Sequence, residues 1–388
     1  MPKTLIWKPG CESDFTLPTN GDQGATVPEG LSGAPPTFMR PWHLVLLAVA
    51  WAVYGGTSYV GGVVASSHAQ LSPFVILLWM LAGRAVGGVL GTCVGWVSSR
   101  RHEDHGLGLG LADLTWAQIA APSILPTVGN VGWVAYFALS RSQNVSVLMP
   151  LLSTYVILPI AYGLARRREA CTPTKALGVV LVLATGALLG VEVSSSSSST
   201  DGSASRSAPG LSDAQPVWLV SVLFVTTLLS WGASDTISSS LPKGRQTPGT
   251  APTAPPLTSL VLLNAAGYVC NTAVVAMGLH VAGTQGPPFA SEAMAALGTW
   301  AAVNAAYPVG WCAYMALCRH HEGVVIVPLF GMYILVPAVG GLVFRGDPAS
   351  PYTIAGVICG AVASVLLAWK APKGVDLGVK NHTTGDVP

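Results

Sequence analysis

Arg84 is a lone charge near the middle of an apolar stretch that runs from residue 73 to residue 97. A charge at the centre of a membrane-spanning helix costs roughly 2.5–3.5 kcal/mol on insertion scales, so we expect this side chain to face a cavity or a partner. A guanidinium in that setting is suited to hold an anionic group of a ligand. The structural alternatives are a guanidinium bonded to backbone carbonyls and one that reaches the membrane interface.

Six further polar side chains lie within apolar stretches and are candidates for ligand binding. They are Asn130, Tyr136, Tyr155, Asn304, Tyr314 and Tyr333. A phenol joins an apolar ring to one polar group and suits a cavity wall, although packing and interfacial belts explain such tyrosines equally well. The asparagine amides are expected more often to join neighbouring helices than to bind a ligand.

Asp235 is a candidate for proton coupling, because it lies in the second half of an apolar stretch from 216 to 237. A small shift of the helix boundary would place it in water instead. Asn264 and Asn271, in the next apolar stretch, are weaker candidates for any role in binding.

Prolines and glycines form two patterns that affect the bending and the packing of the predicted helices. Prolines remove helical hydrogen bonds, and four of them are hinge candidates, with a static bend as the alternative: Pro150, Pro159, Pro328 and Pro337. Glycines at every fourth position predict a ridge that packs closely against another helix: Gly83, Gly87, Gly91 and Gly95.

The composition indicates a membrane protein and argues against a soluble enzyme or a nucleic-acid-binding protein. Charged residues make up 9% of the 388 residues, whereas a soluble domain carries about 25%. The apolar fraction is 51% and the mean hydropathy is +0.55. A formal net charge of +2 provides no dense basic face for nucleic acid. The seven cysteines include no CxxC pair, so we expect neither a disulfide framework nor a zinc site.

Ten apolar stretches approach the length that crosses a bilayer, which is about 20 residues for a hydrocarbon core of about 30 Å. We therefore predict an all-α integral membrane protein with ten transmembrane helices, called spans one to ten. They cover residues 42–64, 73–97, 114–139, 144–165, 174–191, 216–237, 257–281, 295–317, 323–344 and 352–369.

The polar segments between and outside these spans divide the chain. Residues 1–40 predict a disordered tail, and the Ser-rich residues 191–215 predict a linker between two halves. Residues 241–256 form a second, Pro-rich connection, and residues 371–388 predict a C-terminal tail.

Lysines and arginines in the connections predict the orientation of the chain in the membrane. With the N-terminus in the cytoplasm, fifteen of the 19 basic residues fall on the cytoplasmic side. Three fall on the opposite side, at Arg141, Arg206 and Arg345, and Arg84 lies inside a span. An even number of spans places both termini in the cytoplasm.

The chain contains an internal repeat with an offset of 178 residues. VGWVAYFALSR at 131–141 corresponds to VGWCAYMALCR at 309–319, and about 21 of the 59 residues from 131 to 189 are identical to those from 309 to 367. Each copy holds five spans, an odd number, so the second copy is predicted to enter the membrane upside down. Inverted repeats of this kind build many secondary transporters, whose substrate site lies near the midplane.

The duplicated five-span unit resembles the EamA repeat of the drug/metabolite transporter superfamily. The matching features are an aromatic-Gly pair in the first helix, a Ser-Pro pair before the second, and an acidic residue nine positions before a glycine of the fifth. In this sequence they are Tyr54-Gly55 and Trp231-Gly232, Ser72-Pro73, Glu169 with Gly178, and Asp347 with Gly356. The resemblance implies two repeats, 42–190 and 216–370, that form a carrier for small polar metabolites, with helices three, four, eight and nine lining its cavity.

The sequence therefore favours a secondary transporter that moves a small polar organic metabolite by alternating access, with no enzymatic activity and no cofactor. A nucleotide-sugar or sugar-phosphate exchanger is the alternative within transport, since Arg84 would suit a phosphate. A non-transporting membrane scaffold or receptor is the alternative from another class, since each polar residue named above is also explained by packing. The expected partners are the lipid bilayer and a small-molecule solute; a homodimer is compatible with the sequence, and neither nucleic acid nor a metal is expected.

Overall fold

Helices are the only regular elements in the part of the chain that the computed structural model describes. It describes residues 39–68, 71–99, 118–119, 122–139, 145–165, 172–198, 217–243, 257–281, 291–321 and 323–369. Long apolar runs favour helices in lipid because a helix satisfies its backbone N–H and C=O groups internally.

Six α-helices of eight or more residues lie in the described ranges of the first half. They are α1 (Pro41–Ser67), α2 (Pro73–Ser99), α3 (Ile124–Leu139), α4 (Val145–Leu152), α5 (Ile157–Ala165) and α6 (Pro173–Ser198). A 3-10 turn, Ser153–Val156, joins α4 to α5.

Seven α-helices cover the described residues of the second half. They are α7 (Val217–Ser238), α8 (Leu257–Val281), α9 (Ser291–Asn304), α10 (Tyr307–His320), α11 (Gly323–Gly331), α12 (Leu335–Gly340) and α13 (Pro351–Ala368). Short 3-10 turns at Leu241–Lys243 and Met332–Ile334 and a π-helical turn at Gly341–Arg345 complete the helical elements.

Several predicted segments lie outside the described residues. These are the N-terminal tail up to residue 38, linker residues 199–215, the Pro-rich connection from 244 to 256 and the C-terminal tail from residue 370. The first residues of the predicted linker, 191–198, continue α6.

Eight helical stretches in the described ranges are long and apolar enough to cross a membrane. They correspond to spans one, two, four, five, six, seven, nine and ten. Span three is represented by 16 residues of α3, and span eight is divided into α9 and α10, of 14 residues each. The division follows from Pro308, which has no N–H to donate to the carbonyl of Asn304. The described residues are therefore all-helical, and their eight long apolar helices indicate an integral, multi-pass membrane protein.

Spans four and nine are interrupted at matched positions, each between two prolines. Pro150 lies inside α4 and Pro328 inside α11. Pro159 and Pro337 are the third residues of α5 and α12, and because proline lacks an N–H the carbonyls of Tyr155 and Tyr333 receive no hydrogen bond from the residue four positions later. The 3-10 turns occupy the segments between each pair of prolines.

Three of the four ridge glycines of α2, Gly83, Gly87 and Gly95, pack closely against neighbouring helices, as predicted, whereas Gly91 makes only ordinary contact with Val261. A Cβ atom at Gly83 or Gly87 would overlap the carbonyl oxygen of Ala301 or Ala305. A Cβ at Gly88 would press on Ala265 of α8. Backbone approach of this kind is what small residues permit in membrane helices.

Contacts between the two halves occur as matched pairs. Gly178 of α6 lies against Leu367 of α13, and Gly356 of α13 lies against Leu189 of α6. The offset of 178 converts the first contact into the second, because Gly178 corresponds to Gly356 and Leu189 to Leu367.

The same reciprocity relates the first helix of each half to the interrupted helix of the other half. Gly55 of α1 lies against Val336 of α12, and Gly232 of α7 lies against Leu158 of α5. The neighbouring rings repeat the pattern, since the Tyr54 and Tyr333 centroids are 5.6 Å apart and those of Tyr155 and Trp231 are 5.8 Å apart.

Large apolar side chains cover the outward faces of the helices. Val86, Leu90 and Val94 of α2 are each about half exposed or more, as are Val180 and Leu183 of α6. Exposed apolar surface of this extent is characteristic of a membrane or protein interface.

Candidate functional site

A cavity of about 70 Å³ lies where the two halves meet. Ten of its 19 lining residues are aromatic, and two are charged, Arg84 and Asp235. The lining comes from α1, α2, α3, α7, α9 and α10 as well as from the interrupted helices. The cavity therefore involves more helices than the four that the family resemblance implies.

The Arg84 guanidinium is buried and held by uncharged groups. Its Nε donates to Asn304 Oδ1 at 3.1 Å, and one terminal nitrogen donates to the Tyr268 hydroxyl at 3.4 Å. Its central carbon lies 3.8 Å from the centroid of the Tyr307 ring, which is cation–π geometry. Arg84 is 6% exposed, so the alternative of a side chain reaching the membrane interface is excluded.

No described Asp or Glu forms an ion pair with Arg84; the ion pair found in the described ranges joins Arg345 to Asp347. Hydrogen bonds and a tyrosine ring stabilise a cation less than a carboxylate does. A buried guanidinium with neutral partners therefore attracts an anionic group that enters the cavity.

Asp235 lies on α7, one turn before the helix ends at Ser238, and lines the same cavity. The Tyr155 side chain lies close enough to interact electrostatically with its carboxyl group. Tyr155 belongs to the 3-10 turn that interrupts span four. The break in the helix thus places a tyrosine against the carboxyl group of the opposite half.

The two interrupted helices contribute equivalent tyrosines. Tyr155 and Tyr333 both lie on 3-10 turns, both line the cavity, and both are at most 5% exposed. Tyr314 of α10 also lines it. Tyr136, which corresponds to Tyr314 in the repeat, does not line the cavity and packs against Phe224, with centroids 5.7 Å apart.

The two candidate asparagines differ in their hydrogen bonding. Asn304 uses its oxygen to accept from Arg84 and its amide nitrogen to donate to the Trp300 carbonyl at 2.9 Å. Asn130 lines the cavity, is 4% exposed, and its amide nitrogen has no partner in the described structure. A buried donor facing a cavity without a partner is available to a ligand.

Asn264 and Asn271 join α8 to the start of α3 and do not line the cavity. The Asn264 amide donates to the Pro122 carbonyl at 2.8 Å, and the Asn271 amide donates to Thr127 Oγ1 at 2.9 Å. These are interhelical bonds of the kind common in membrane bundles.

The four prolines predicted as hinge candidates do not line the cavity: Pro150, Pro159, Pro328 and Pro337. Their effect is indirect, because they define the interrupted segments that carry Tyr155 and Tyr333. The Leu329 carbonyl, on the turn after Pro328, accepts a hydrogen bond from Trp51 Nε1 of α1 at 2.9 Å. A side chain of the other half therefore supports the broken helix.

Sequence reasoning missed most of the aromatic lining. Tyr307 and Tyr268 hold Arg84, and Tyr54 stacks on Tyr307 with centroids 4.6 Å apart. One signal was present, since Tyr54 and Trp231 precede matched glycines in the two repeats. Tyr307 and Tyr268 have no tyrosine at the offset position, so the duplication provided no signal for them.

In the described ranges, no group of three or more His, Cys, Asp or Glu side chains is arranged to hold a metal ion. The charged groups of the cavity are Arg84 and Asp235 alone among its lining residues. The chemistry that this lining supports is non-covalent binding of a small polar molecule.

Comparison with known proteins identifies a shared fold. No protein-family model matches the chain, and no curated protein matches it. A solved structure described as "Crystal structure of protein" aligns with a TM-score of 0.54 and 15% sequence identity, over 86% of this chain and 100% of that chain. At this identity the similarity concerns the fold.

The contrast between Asn304 and Asn130 predicts different effects on stability. Asn304→Leu leaves the buried Arg84 Nε without its acceptor, which costs about 1–3 kcal/mol. Asn130→Leu removes a donor that has no partner, so its effect on stability is smaller. Thermal unfolding of the purified variants in detergent measures both, and equal melting temperatures for the two variants would contradict the assigned hydrogen bonds.

Proposed function

We propose that the protein is a secondary transporter that moves a small polar organic solute across a membrane by alternating access. The observation that carries this proposal is the cavity between the two halves, which pairs a buried Arg84 lacking a described counter-ion with Asp235 inside an aromatic lining. A membrane protein that only needs stable packing gains nothing from a buried cation and an unpartnered asparagine donor.

The architecture we propose is a pair of inverted five-helix repeats of the EamA type. The matched contacts across the halves support it, because a two-fold relation between the repeats generates such reciprocal pairs. The interrupted helices support it further, since broken helices near the midplane, in corresponding positions of two halves, accompany the binding sites of many transporters. Both termini then lie on one side, and the positive residues of the connections assign that side to the cytoplasm.

In this proposal Arg84 binds the anionic group of the solute, and the aromatic rings contact its apolar body. Asn130 provides an additional donor. Asp235, paired with Tyr155 close to one end of α7, couples solute movement to protons.

The cavity volume bears on the choice of solute. Pockets for drug-sized ligands measure about 300–1,000 Å³, whereas this cavity is about 70 Å³. A compact metabolite fits with limited movement of the halves, but a nucleotide sugar requires extensive widening. The volume thus supports a carrier of a compact polar metabolite over a nucleotide-sugar exchanger.

Arg84→Gln tests the proposal once a solute has been found by thermal stabilisation across a panel of small carboxylates, phosphates and amino acids. In proteoliposomes we expect at least a tenfold lower rate of solute uptake for Arg84→Gln, because a neutral amide does not compensate a buried anion. Lys175→Gln, which neutralises a cation in the first turn of α6, is the matched control and should retain uptake. Normal uptake kinetics for Arg84→Gln would refute the anchoring role, and absence of flux for every panel member would favour the scaffold.

Asp235→Asn tests the coupling role separately. We expect it to retain exchange of solute across the membrane and to lose accumulation driven by a pH gradient, because the neutral amide binds no proton. Glu292→Gln, at an exposed position in the first turn of α9, is the control for loss of a carboxylate. Gradient-driven accumulation by Asp235→Asn at the wild-type level would exclude Asp235 as the coupling group.

A further inference from the structure

A set of polar contacts joins the two halves at one end of the bundle, where α1 finishes at Ser67. We call this the Ser67 end. It also contains the start of α4, the last turns of α6 and the segment between the π-helical turn and α13. These contacts are about two helical turns beyond Ser58, the last residue of α1 that lines the cavity. The residues that form them do not line the cavity.

The first group of contacts is centred on Arg345 and Asp347 of the second half. Arg345 donates to Ser66 Oγ of α1, and its Nε lies 3.5 Å from Asp347 Oδ1. The other carboxylate oxygen of Asp347 accepts from the backbone N–H of Ser146 at 3.1 Å. Asp347 is 8% exposed and Arg345 is partly exposed, so this ion pair links α1 and α4 to the second half from a partly buried position.

A second contact joins the final helices of the two halves. Ser350 donates to Glu192 Oε2 at 2.5 Å and accepts from the backbone N–H of Thr353 as the N-cap of α13. Glu192 is 7% exposed. The Glu192 carboxylate of the first half is therefore hydrogen-bonded directly to Ser350, the N-cap residue of the last helix.

The local backbone is built to present these groups. Gly346 has φ +70°, the left-handed conformation that favours glycine, and it reverses the chain between Arg345 and Asp347. Gly341 lies so close to the Asp347 carboxylate and to Ser146 that a Cβ would collide with Asp347. These two glycines allow the chain to fold back and the carboxylate to reach Ser146.

Dense packing lies between the cavity and the Ser67 end. Gly61 of α1 sits against the rings of Trp133 and Trp300 with no room for a Cβ, and Gly340 packs against the ring of Tyr59. The structure is therefore closed at the Ser67 end, and opening it requires the halves to separate there.

We propose that these contacts form a latch, the Ser67-end latch, which holds the two halves together at this end and is released when the protein opens there. The latch consists of Arg345, Asp347 and Ser350 on the second half, bonded to Ser66, Ser146 and Glu192 on the first. Each of its hydrogen bonds between halves must break when the cavity becomes accessible from this end. The proposal rests on the alternating access proposed above.

Distance measurement by electron paramagnetic resonance tests the latch directly. Spin labels are attached at Ser67→Cys and Tyr352→Cys, two exposed positions on either side of the latch, after replacement of the seven native cysteines. We expect one short distance in the otherwise unmodified protein. Asp347→Ala should increase the population of a longer distance at least threefold, because it removes both the ion pair and the acceptor for Ser146.

Ser66→Ala is a milder variant that removes the acceptor for Arg345 and, within α1, a bond to the Val63 carbonyl; it should shift the distances in the same direction by a smaller amount. It decides the outcome if Asp347→Ala does not purify as a folded protein. Thr92→Ala is the matched control, because Thr92 Oγ1 donates to the Gly88 carbonyl of its own helix and joins no other element. It should leave the distances unchanged.

Flux measured on the same preparations separates the latch from the proposed function. Distances in the latch variants that equal those of Thr92→Ala, together with normal flux, would overturn the latch and leave transport standing. Shifted distances with no solute flux in any preparation would overturn transport and leave the latch as a structural contact between the halves.

Discussion

Every backbone N–H and C=O group within a bilayer needs a partner, because an unpaired group in hydrocarbon costs several kcal/mol. This constraint makes the described chain helical and confines irregular backbone to places covered by protein. The two proline-flanked 3-10 turns obey it, since they occur where the halves meet and not on the lipid-facing surface. A carbonyl near one of them, at Leu329, accepts from Trp51 of the first half. The positions of Tyr155 and Tyr333, and through them the polar cavity, depend on where such breaks are tolerated.

The reciprocal contacts connect this constraint to the proposed mechanism. Gly178 and Gly356 each accept a leucine of the other half, and Gly55 and Gly232 each lie against the interrupted helix of the other half. Each half therefore presents both a glycine surface and a leucine surface, and the glycine surface of one half contacts the leucine surface of the other. We propose that exchanging the roles of the halves gives a second, related arrangement, and that alternating access moves the protein between the two.

Sequence reasoning succeeded where one residue or one run carries the signal. Runs of about 20 apolar residues predicted the helical membrane class, and the single charge in span two identified Arg84, which the structure places at the cavity. The duplication identified Tyr155 and Tyr333 because both copies retain the tyrosine. The glycine spacing of α2 predicted its close packing with Ala301 and Ala305.

Sequence reasoning failed where a role depends on the relative positions of helices far apart in the chain. Tyr268 and Tyr307 are separated from Arg84 by 184 and 223 positions, so nothing local marks them as its partners. Asn130 and Asn304 look alike in sequence, yet only Asn304 has partners for both of its polar atoms. The division of span eight at Pro308 was also missed, because the surrounding residues are apolar enough to predict one continuous helix.

The proposed mechanism exposes the cavity in turn to the two sides of the membrane. A single cysteine at Thr57, a cavity residue of α1, can be labelled with a membrane-impermeant maleimide in sealed vesicles of known orientation, with the seven native cysteines replaced. The account predicts labelling from either side, with a solute that stabilises the protein changing the ratio of the two rates at least threefold. Labelling from one side only, at a rate that no solute changes, would contradict it.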